Sequence, residues 1–189
     1  TDYDSIESVV AGHDAVVNLV ALSPLFSPSG GEETHFEVHL RGTQHLVGAA
    51  EEAGVDRFLQ QSALGADPEG PTHYIRAKGQ AEEVVRKSDL DWTITRPSVV
   101  FGDGGEFVKF TKLLAPPYVT PLPGGGKTRF QPIFVGDLVP MLADAVLEDE
   151  HVGHAYDIGG PEVLTMAEVA RLGHRADGRG VNVLPIPMS

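Results

Sequence analysis

The chain has 189 residues, 41% of them hydrophobic and 7% aromatic, which suits one ordinary domain with a real core and excludes a disordered composition. It contains no cysteine, so disulfide staples, thiolate-held iron–sulfur clusters and cysteine nucleophiles are excluded. With 27 Asp and Glu against 14 Lys and Arg, a net charge of −13, it has no patch to neutralise phosphates, which argues against nucleic acid and anionic membrane as partners.

The acidic residues read as spread through the whole chain rather than gathered in a tail. Solubility alone would account for them. The sharper expectation is a halophilic, cytoplasmic protein, whose self-repulsion is screened by high salt. The longest apolar run, Ala15-Val16-Val17 then Leu19 to Leu22, is interrupted by Asn18 and is far too short to cross a bilayer. No basic-then-apolar leader opens the sequence, and Thr1 does not read as a biological start.

The first expected element is a short helix from Ser5 to Ala11, with Ile6, Val9 and Val10 on its apolar side and Gly12 ending it. Ala15 to Ala21 is nearly all apolar, as in a parallel strand covered on both faces. Ser23 to Glu33 is a loop rich in Pro, Gly and Ser. A long helix follows from about Phe36 to Ala53, with Leu40, Thr43, Leu46, Val47 and Ala50 at three- and four-residue steps, and Gly54 stops it. Phe58 to Ser62 is the next strand and His73 to Lys87 the next helix, with Ala77, Ala81, Val84 and Val85 on one face. Trp92 to Thr95 is a third strand, which Pro97 brings to an end.

Strand–helix alternation of this size predicts a parallel α/β sheet with crossover helices. After Pro97 the pattern changes. Gly102 to Gly105 and Pro116 to Gly126 are punctuated by glycine and proline, with a helical piece, Phe107 to Leu114, between them. Ile133 to Asp137 precedes a helix to about Leu147, and His154 to Ile158 reads as a last sheet strand. A capping box, Thr165-Met166-Ala167-Glu168, opens another helix, and Val181 to Ile186 suits a further strand. Residues 1–100 are expected to form the second half of a nucleotide-binding sheet. Residues 101–189 would form a mixed lid and substrate-side portion that returns one strand near 154–158.

The chemistry concentrates between Phe58 and Lys87. Tyr74 and Lys78 are four apart, hence on one helix face about a turn apart. A phenol near its ordinary pKa of about 10 is a poor acid or base at neutral pH, and a neighbouring ammonium favours the phenolate. Ser62 ends a strand, where the ligand crevice of a parallel sheet lies, and its hydroxyl could hold a substrate oxygen. The plain alternative is an ordinary helix-start aromatic and a solvated lysine.

These residues carry a resemblance when taken together with others in order and spacing. The further stretches are Asp14 to Ala21, Gly42-Thr43, Gln61-Ser62-Ala63, Arg96 to Gly102, Gly124 to Pro132 and Phe134-Val135-Gly136-Asp137. The chain resembles the short-chain dehydrogenase/reductase superfamily. Within it, the chain is similar to the extended or atypical NAD(P)-dependent epimerase/dehydratase-like members, in the branch related to the NAD(P)H-binding accessory subunit of respiratory complex I. The resemblance implies a Rossmann-type sheet and NAD or NADP as cofactor. It implies Tyr74 as general acid/base, Lys78 on the nicotinamide ribose and lowering the Tyr74 pKa, and Ser62 polarising the reacting carbonyl or carbinol. Asn18 and Ala21 would face the adenosine side of the cofactor, Pro97 and Val99 would line the nicotinamide pocket, and Arg129 and Gln131 would contact the polar part of a substrate. Asp137 would fix loop geometry.

One position departs from the pattern. His39 stands where the family often carries asparagine, and it either relays protons in that place or marks a weakened or purely cofactor-binding site. His13, His45, His151 and His174 read as helix-end or surface residues, and no metal site is expected. A dinucleotide fold also needs a glycine-rich turn after its first strand, so that backbone amides meet the pyrophosphate, and no stretch here matches one. The expectation is therefore a fragment lacking that unit. Roughly 50 to 60 upstream residues would supply the first strands, and without them one flank of the Ala15–Ala21 strand would be exposed.

Two functions remain open on the sequence. The first is an NAD(P)-dependent oxidoreductase or epimerase-like enzyme acting on a carbinol or carbonyl of a small molecule. The second is a non-catalytic NAD(P)H-binding component of a larger complex. Partners would be a small-molecule substrate and either a second copy or that complex, with neither nucleic acid nor membrane insertion.

Overall fold

The computed structural model describes residues 3–24, 29–113, 119–176, 178, 180 and 182–186. They form two compact units. One comprises Thr1–Pro97 with Val139–Ile158, the other Ser98–Leu138 with Gly159–Ser189.

The first unit is built on a four-stranded parallel sheet in the order β1-β2-β3-β8, with β1 Ala15–Asn18, β2 Arg57–Gln61, β3 Asp91–Pro97 and β8 His154–Ile158. The connecting helices are α1 Tyr3–Val10, α2 Gly42–Ala53 and α3 His73–Arg86. Strand alternation sends Val16, Phe58 and Ile94 to one sheet face, where they pack with Val10, Val47, Ala50 and Val85 of the three helices. Phe58 and Ile94 are fully buried there. This one-sided apolar set fixes the register, since a slip of one residue would turn all of it away from the helices.

Local chemistry sets the element ends. Gly54 closes α2 at φ 69°, a left-handed value that glycine adopts without a Cβ penalty, and its N–H returns to the carbonyls of Ala50 and Glu51. Thr72 caps α3, its side chain accepting the Ile75 N–H. Strand β1 is shorter than expected, stopping at Asn18, because the Asn18 carboxamide accepts the Val20 N–H and turns the chain out of the ladder. Among the described residues β1 is a sheet edge, and Val17, Leu19 and Val20 are 46, 49 and 54% exposed.

The expected helix from Phe36 to Ala53 is present in two geometries. Phe36–Arg41 is π-helical and runs directly into α2. The wider turn brings His35 and His39 into a stack and carries both inward, where each is nearly fully buried.

The second unit is made of small pieces. These are β4 Val100–Phe101 beside β7 Ile133–Phe134, β5 Val119–Pro123 beside β10 Asn182–Ile186, and β6 Arg129–Phe130 antiparallel to β9 Leu164–Thr165. Helices α4 Glu106–Leu113 and α6 Met166–Ala176 complete it, and α5 Val135–Leu147 begins in this unit and ends in the first. The stretch that proline and glycine punctuate thus holds the strand Val119–Pro123, because parallel pairing with β10 overrides those signals. The capping box forms as expected, with the Glu168 carboxylate accepting the N–H of Thr165 and the Glu168 N–H bonding back to the Thr165 hydroxyl. His174 is a helix-end residue, in the last turn of α6, and is buried there at 3.4 Å from the Thr120 hydroxyl.

Charge divides with the fold. The first unit holds 21 Asp and Glu against seven Lys and Arg, whereas the second holds six against seven. The acidic excess belongs to the sheet-bearing unit and is not spread evenly, which corrects the reading from sequence.

Candidate functional site

The carboxyl ends of β1, β2 and β3 and the first two turns of α3 gather the polar side chains of the first unit. Helix α3 can lie close against the loop that follows β2 because Gly79 has no side chain, and a Cβ there would clash with the backbone of Asp67 and Pro68.

Lys78 is 1% exposed. Its ammonium donates to the carbonyls of Gln61, at 3.1 Å, and Val20, at 3.4 Å, which ties the ends of β1 and β2 to α3. Burial lowers its pKa to about 8, against a smaller opposing pull from Glu82 one turn further along. Glu82 is itself clamped by Arg96 of β3 through two bonds, at 2.6 and 2.8 Å, and Arg96 also reaches Asp157 of β8 at 3.5 Å.

Tyr74 lies one turn before Lys78 and is only partly exposed. Burial pushes its phenol up to about 12, and no nearby charge counters that. The expected lowering of the Tyr74 pKa by Lys78 is therefore absent from this structure, because two main-chain carbonyls hold the ammonium. The Tyr74 ring meets His39 and His35 edge to face, with centroids 5.4 and 5.6 Å away.

Ser62 follows β2, and its N–H continues the ladder to the Thr95 carbonyl at 2.7 Å. Alternation from Phe58 and Gln60 places Ser62 on the sheet face covered by α3. Its hydroxyl is buried without a hydrogen-bond partner, as is that of Thr95. A buried hydroxyl without a partner is a recurring mark of a group kept for a ligand or a water.

The Asn18 side chain is engaged within the chain. Its amide nitrogen donates to Gln60, at 2.9 Å, and to Thr43, at 3.2 Å, and its oxygen accepts the Val20 N–H. These three bonds make it the residue that shapes the chain after β1. Ala21, just beyond, is exposed. Pro97 ends β3 buried, its carbonyl accepting the Leu64 N–H at 3.1 Å.

The other expected residues lie in the second unit. The Val99 carbonyl accepts the Ile133 N–H at 2.9 Å. Gln131 is engaged with the backbone of Gly160 in both directions, donating at 2.7 Å and accepting at 3.2 Å. Arg129 is exposed on β6; the Glu168 carboxyl is held below its usual range chiefly by the hydrogen bonds from the Thr165 backbone and hydroxyl, with Arg171 and then Arg129 adding smaller pulls. Asp137 is exposed in the first turn of α5.

Sequence reasoning passed over His35 and Glu82. The signal was present in spacing, since His35 lies four before His39 and Glu82 four after Lys78.

A parallel sheet with crossover helices and polar groups collected at its strand ends defines a Rossmann-type α/β protein. Residues 1–112 match the NAD(P)H-binding family, and the chain belongs to it. Over 90% of its length it is 34% identical to the mitochondrial NADH dehydrogenase [ubiquinone] 1 alpha subcomplex subunit 9 of Arabidopsis thaliana, of which it covers 42%. Over 76% of its length it is 29% identical to an NAD(P)H azoreductase of Xenophilus azovorans, covering 49% of that protein. The chain thus spans less than half the length of these curated relatives. Among solved structures, a double mutant of the dTDP-glucose 4,6-dehydratase DesIV from Streptomyces venezuelae, with NAD bound, aligns over 97% of this chain and 64% of its own. The TM-score is 0.82 at 23% identity, a likeness of fold. Among the described residues no helix is long and apolar enough to cross a membrane.

Proposed function

We propose that the protein is an NAD(P)-dependent oxidoreductase or epimerase-like enzyme that moves hydride between the nicotinamide and a carbinol or carbonyl carbon of a small molecule. The observation that carries this is the unpartnered, buried Ser62 hydroxyl on the same sheet face as Tyr74 and Lys78. NAD or NADP, when bound, supplies the hydride acceptor or donor. Ser62 orients the reacting oxygen, and Tyr74 exchanges its proton. Lys78 uses two of its three donors on the chain, leaving one for the ribose. Ala21 and Pro97, in the same unit as Ser62, serve the cofactor. The name of the azoreductase relative supports a reductase.

The test is hydride exchange with NADH and NADPH across a carbonyl and azo substrate panel, comparing the full-length protein with Tyr74→Phe. Turnover lost in the variant, with nucleotide binding kept, is the expected result. Tight nucleotide binding without turnover in either protein overturns the enzyme reading.

A second reading has its own support, since the phenol is raised rather than lowered and the ammonium is held by backbone. It makes the chain a non-catalytic NAD(P)H-binding component of a larger assembly, as the name of the Arabidopsis relative suggests for that protein. Co-purification of the native protein with other subunits and no turnover would favour it.

A further inference from the structure

Helix α3 buries two ionisable side chains one turn apart. Lys78 is 1% and Glu82 3% exposed, and their four-residue spacing puts them on one helix face. Ala77, Ala81 and Val85 beside them are fully buried, so an apolar residue at position 82 would sit among its own kind with no charge to desolvate. A buried carboxylate is not a stabilising choice in itself, because leaving water offsets what its ion pairs contribute. Packing does not account for Glu82.

The surroundings hold that carboxylate in one place. Arg96 lies two residues beyond Ile94 on β3, hence on the sheet face that α3 covers, and bonds both carboxylate oxygens, at 2.8 and 2.6 Å. Arg86 adds a contact at 3.5 Å from one turn further along α3, and Arg96 also reaches Asp157 of β8 at 3.5 Å. Glu82, Arg86, Arg96 and Asp157 together carry no net charge, so the clamp fixes Glu82 without adding a further charge beside Lys78. Other ionisable groups on the elements packed there are Tyr74 on α3, His39 and His35 on the π-helical turn, and Asp67 on the loop against Gly79, whose carboxylate accepts the Glu69 N–H. The ends of β1 and β2 offer Lys78 the carbonyls of Val20 and Gln61. Among the described residues, the pull that opposes burial of the ammonium comes from Glu82.

We propose that Glu82 is a positioning residue for the reaction: clamped by Arg96, its carboxylate keeps the buried Lys78 ammonium charged for the cofactor ribose and for the phenolate that forms on Tyr74. The proposal rests on the reading of Tyr74 and Lys78 above. In carbonyl reduction the carbon gains hydride from NAD(P)H, which is oxidised to NAD(P)+, and the oxygen takes the Tyr74 proton, leaving a phenolate. An ammonium one turn away steadies that developing charge, and a neutral amine does not. Burial alone pushes Lys78 toward the neutral amine, and Glu82 holds it back.

The test reads the Lys78 charge directly, so it does not wait on a substrate. In protein carrying isotope-labelled lysine the Cε chemical shift is followed against pH, and the Lys78 signal is assigned from Lys78→Met. Glu82→Gln keeps the shape and an acceptor for Arg96 but removes the charge. Its Lys78 midpoint should fall below that of wild type by about half a pH unit or more. Should Glu82→Gln fail to fold, the apolar pair Glu82→Leu with Arg96→Met is titrated in its place, with the same direction expected. An unchanged or higher midpoint in a folded variant lacking the carboxylate overturns the proposal. Where turnover is found, the alkaline limb of kcat/KM for carbonyl reduction should move to lower pH in Glu82→Gln by the same amount as the midpoint. A limb that stays where it is in wild type overturns the positioning role and leaves the enzyme reading intact. A lowered midpoint with no turnover in wild type does the reverse, since the hold of Glu82 on Lys78 then stands without the enzyme reading.

Discussion

Replacing Lys78 by methionine should stabilise the fold while removing function. Burial holds the ammonium at a pKa of about 8 rather than its ordinary 10.5. That difference corresponds to about 3 kcal/mol by which the charged form is disfavoured in the folded chain near neutral pH. The folded state binds fewer protons than the unfolded one between the two values, so the penalty is full below about 8. It fades as pH rises through that window and is gone above the unfolded value. Methionine keeps the apolar stem and removes the charge, but leaves the carbonyls of Val20 and Gln61 without their donor. Subtracting about 1 to 2 kcal/mol for those contacts leaves a net gain of about 1 to 2 kcal/mol, or roughly 2 to 8 °C in Tm for a chain of this size. Urea and thermal unfolding of wild type and Lys78→Met at neutral and alkaline pH measure it. The gap should close as pH rises through about 8 and reverse above the unfolded value, where only the lost contacts to Val20 and Gln61 remain, and nucleotide-dependent turnover should be lost throughout. A variant less stable than wild type at neutral pH would show that the lysine is there to hold β1 and β2 to α3, and the cost argument would be wrong.

Ser62→Ala removes a hydroxyl that bonds to nothing, so its unfolding midpoint should match or slightly exceed wild type while turnover falls; a clear destabilisation would reveal a structural partner. Arg96→Met leaves the buried Glu82 carboxylate only the longer contact with Arg86, at 3.5 Å, and should cost at most about 3 to 5 kcal/mol in urea unfolding, most of it recovered by adding Glu82→Leu. Equal losses in the single and double variants would contradict that. Gly79→Ala drives a methyl into Asp67 and Pro68 and should cost about 1 to 3 kcal/mol by the same assay. The acidic first unit should gain stability from salt, with Tm rising between about 0.1 and 3 M KCl as screening shortens to about 3 Å; a flat response would leave the acidic surface as a matter of solubility alone.

The alternation of strands and helices through Pro97 was legible because each element carries a local signal. Apolar runs mark β1 and β2, Gly54 ends α2, and the Thr165–Glu168 box opens α6. What escaped depended on partners distant in sequence. Val119–Pro123 shows only proline and glycine punctuation until Asn182–Ile186 lies beside it, and the burial of the helix-end His174 follows only once Thr120 is packed against it. The site divides in the same way. Tyr74, Lys78 and Ser62 were recognisable from spacing and strand position. Burial, which reverses the expected direction of the Tyr74 pKa, is set by the π-helical turn and the two imidazoles, and no pair spacing encodes it.

The unsatisfied groups themselves argue for a site. The buried side-chain atoms without partners in the first unit include those of His35, His39, Ser62 and Thr95. The last two lie at the carboxyl ends of strands, and both imidazoles pack on Tyr74. Each such atom costs about 1 to 3 kcal/mol if nothing meets it. A fold under no demand but stability would replace these side chains with apolar ones, as it has at Val16, Phe58 and Ile94 elsewhere in the sheet. Polar groups left short of partners where a parallel sheet opens are the residues a bound nucleotide and substrate would complete. The Lys78 experiment asks whether this chain is more stable without one of them.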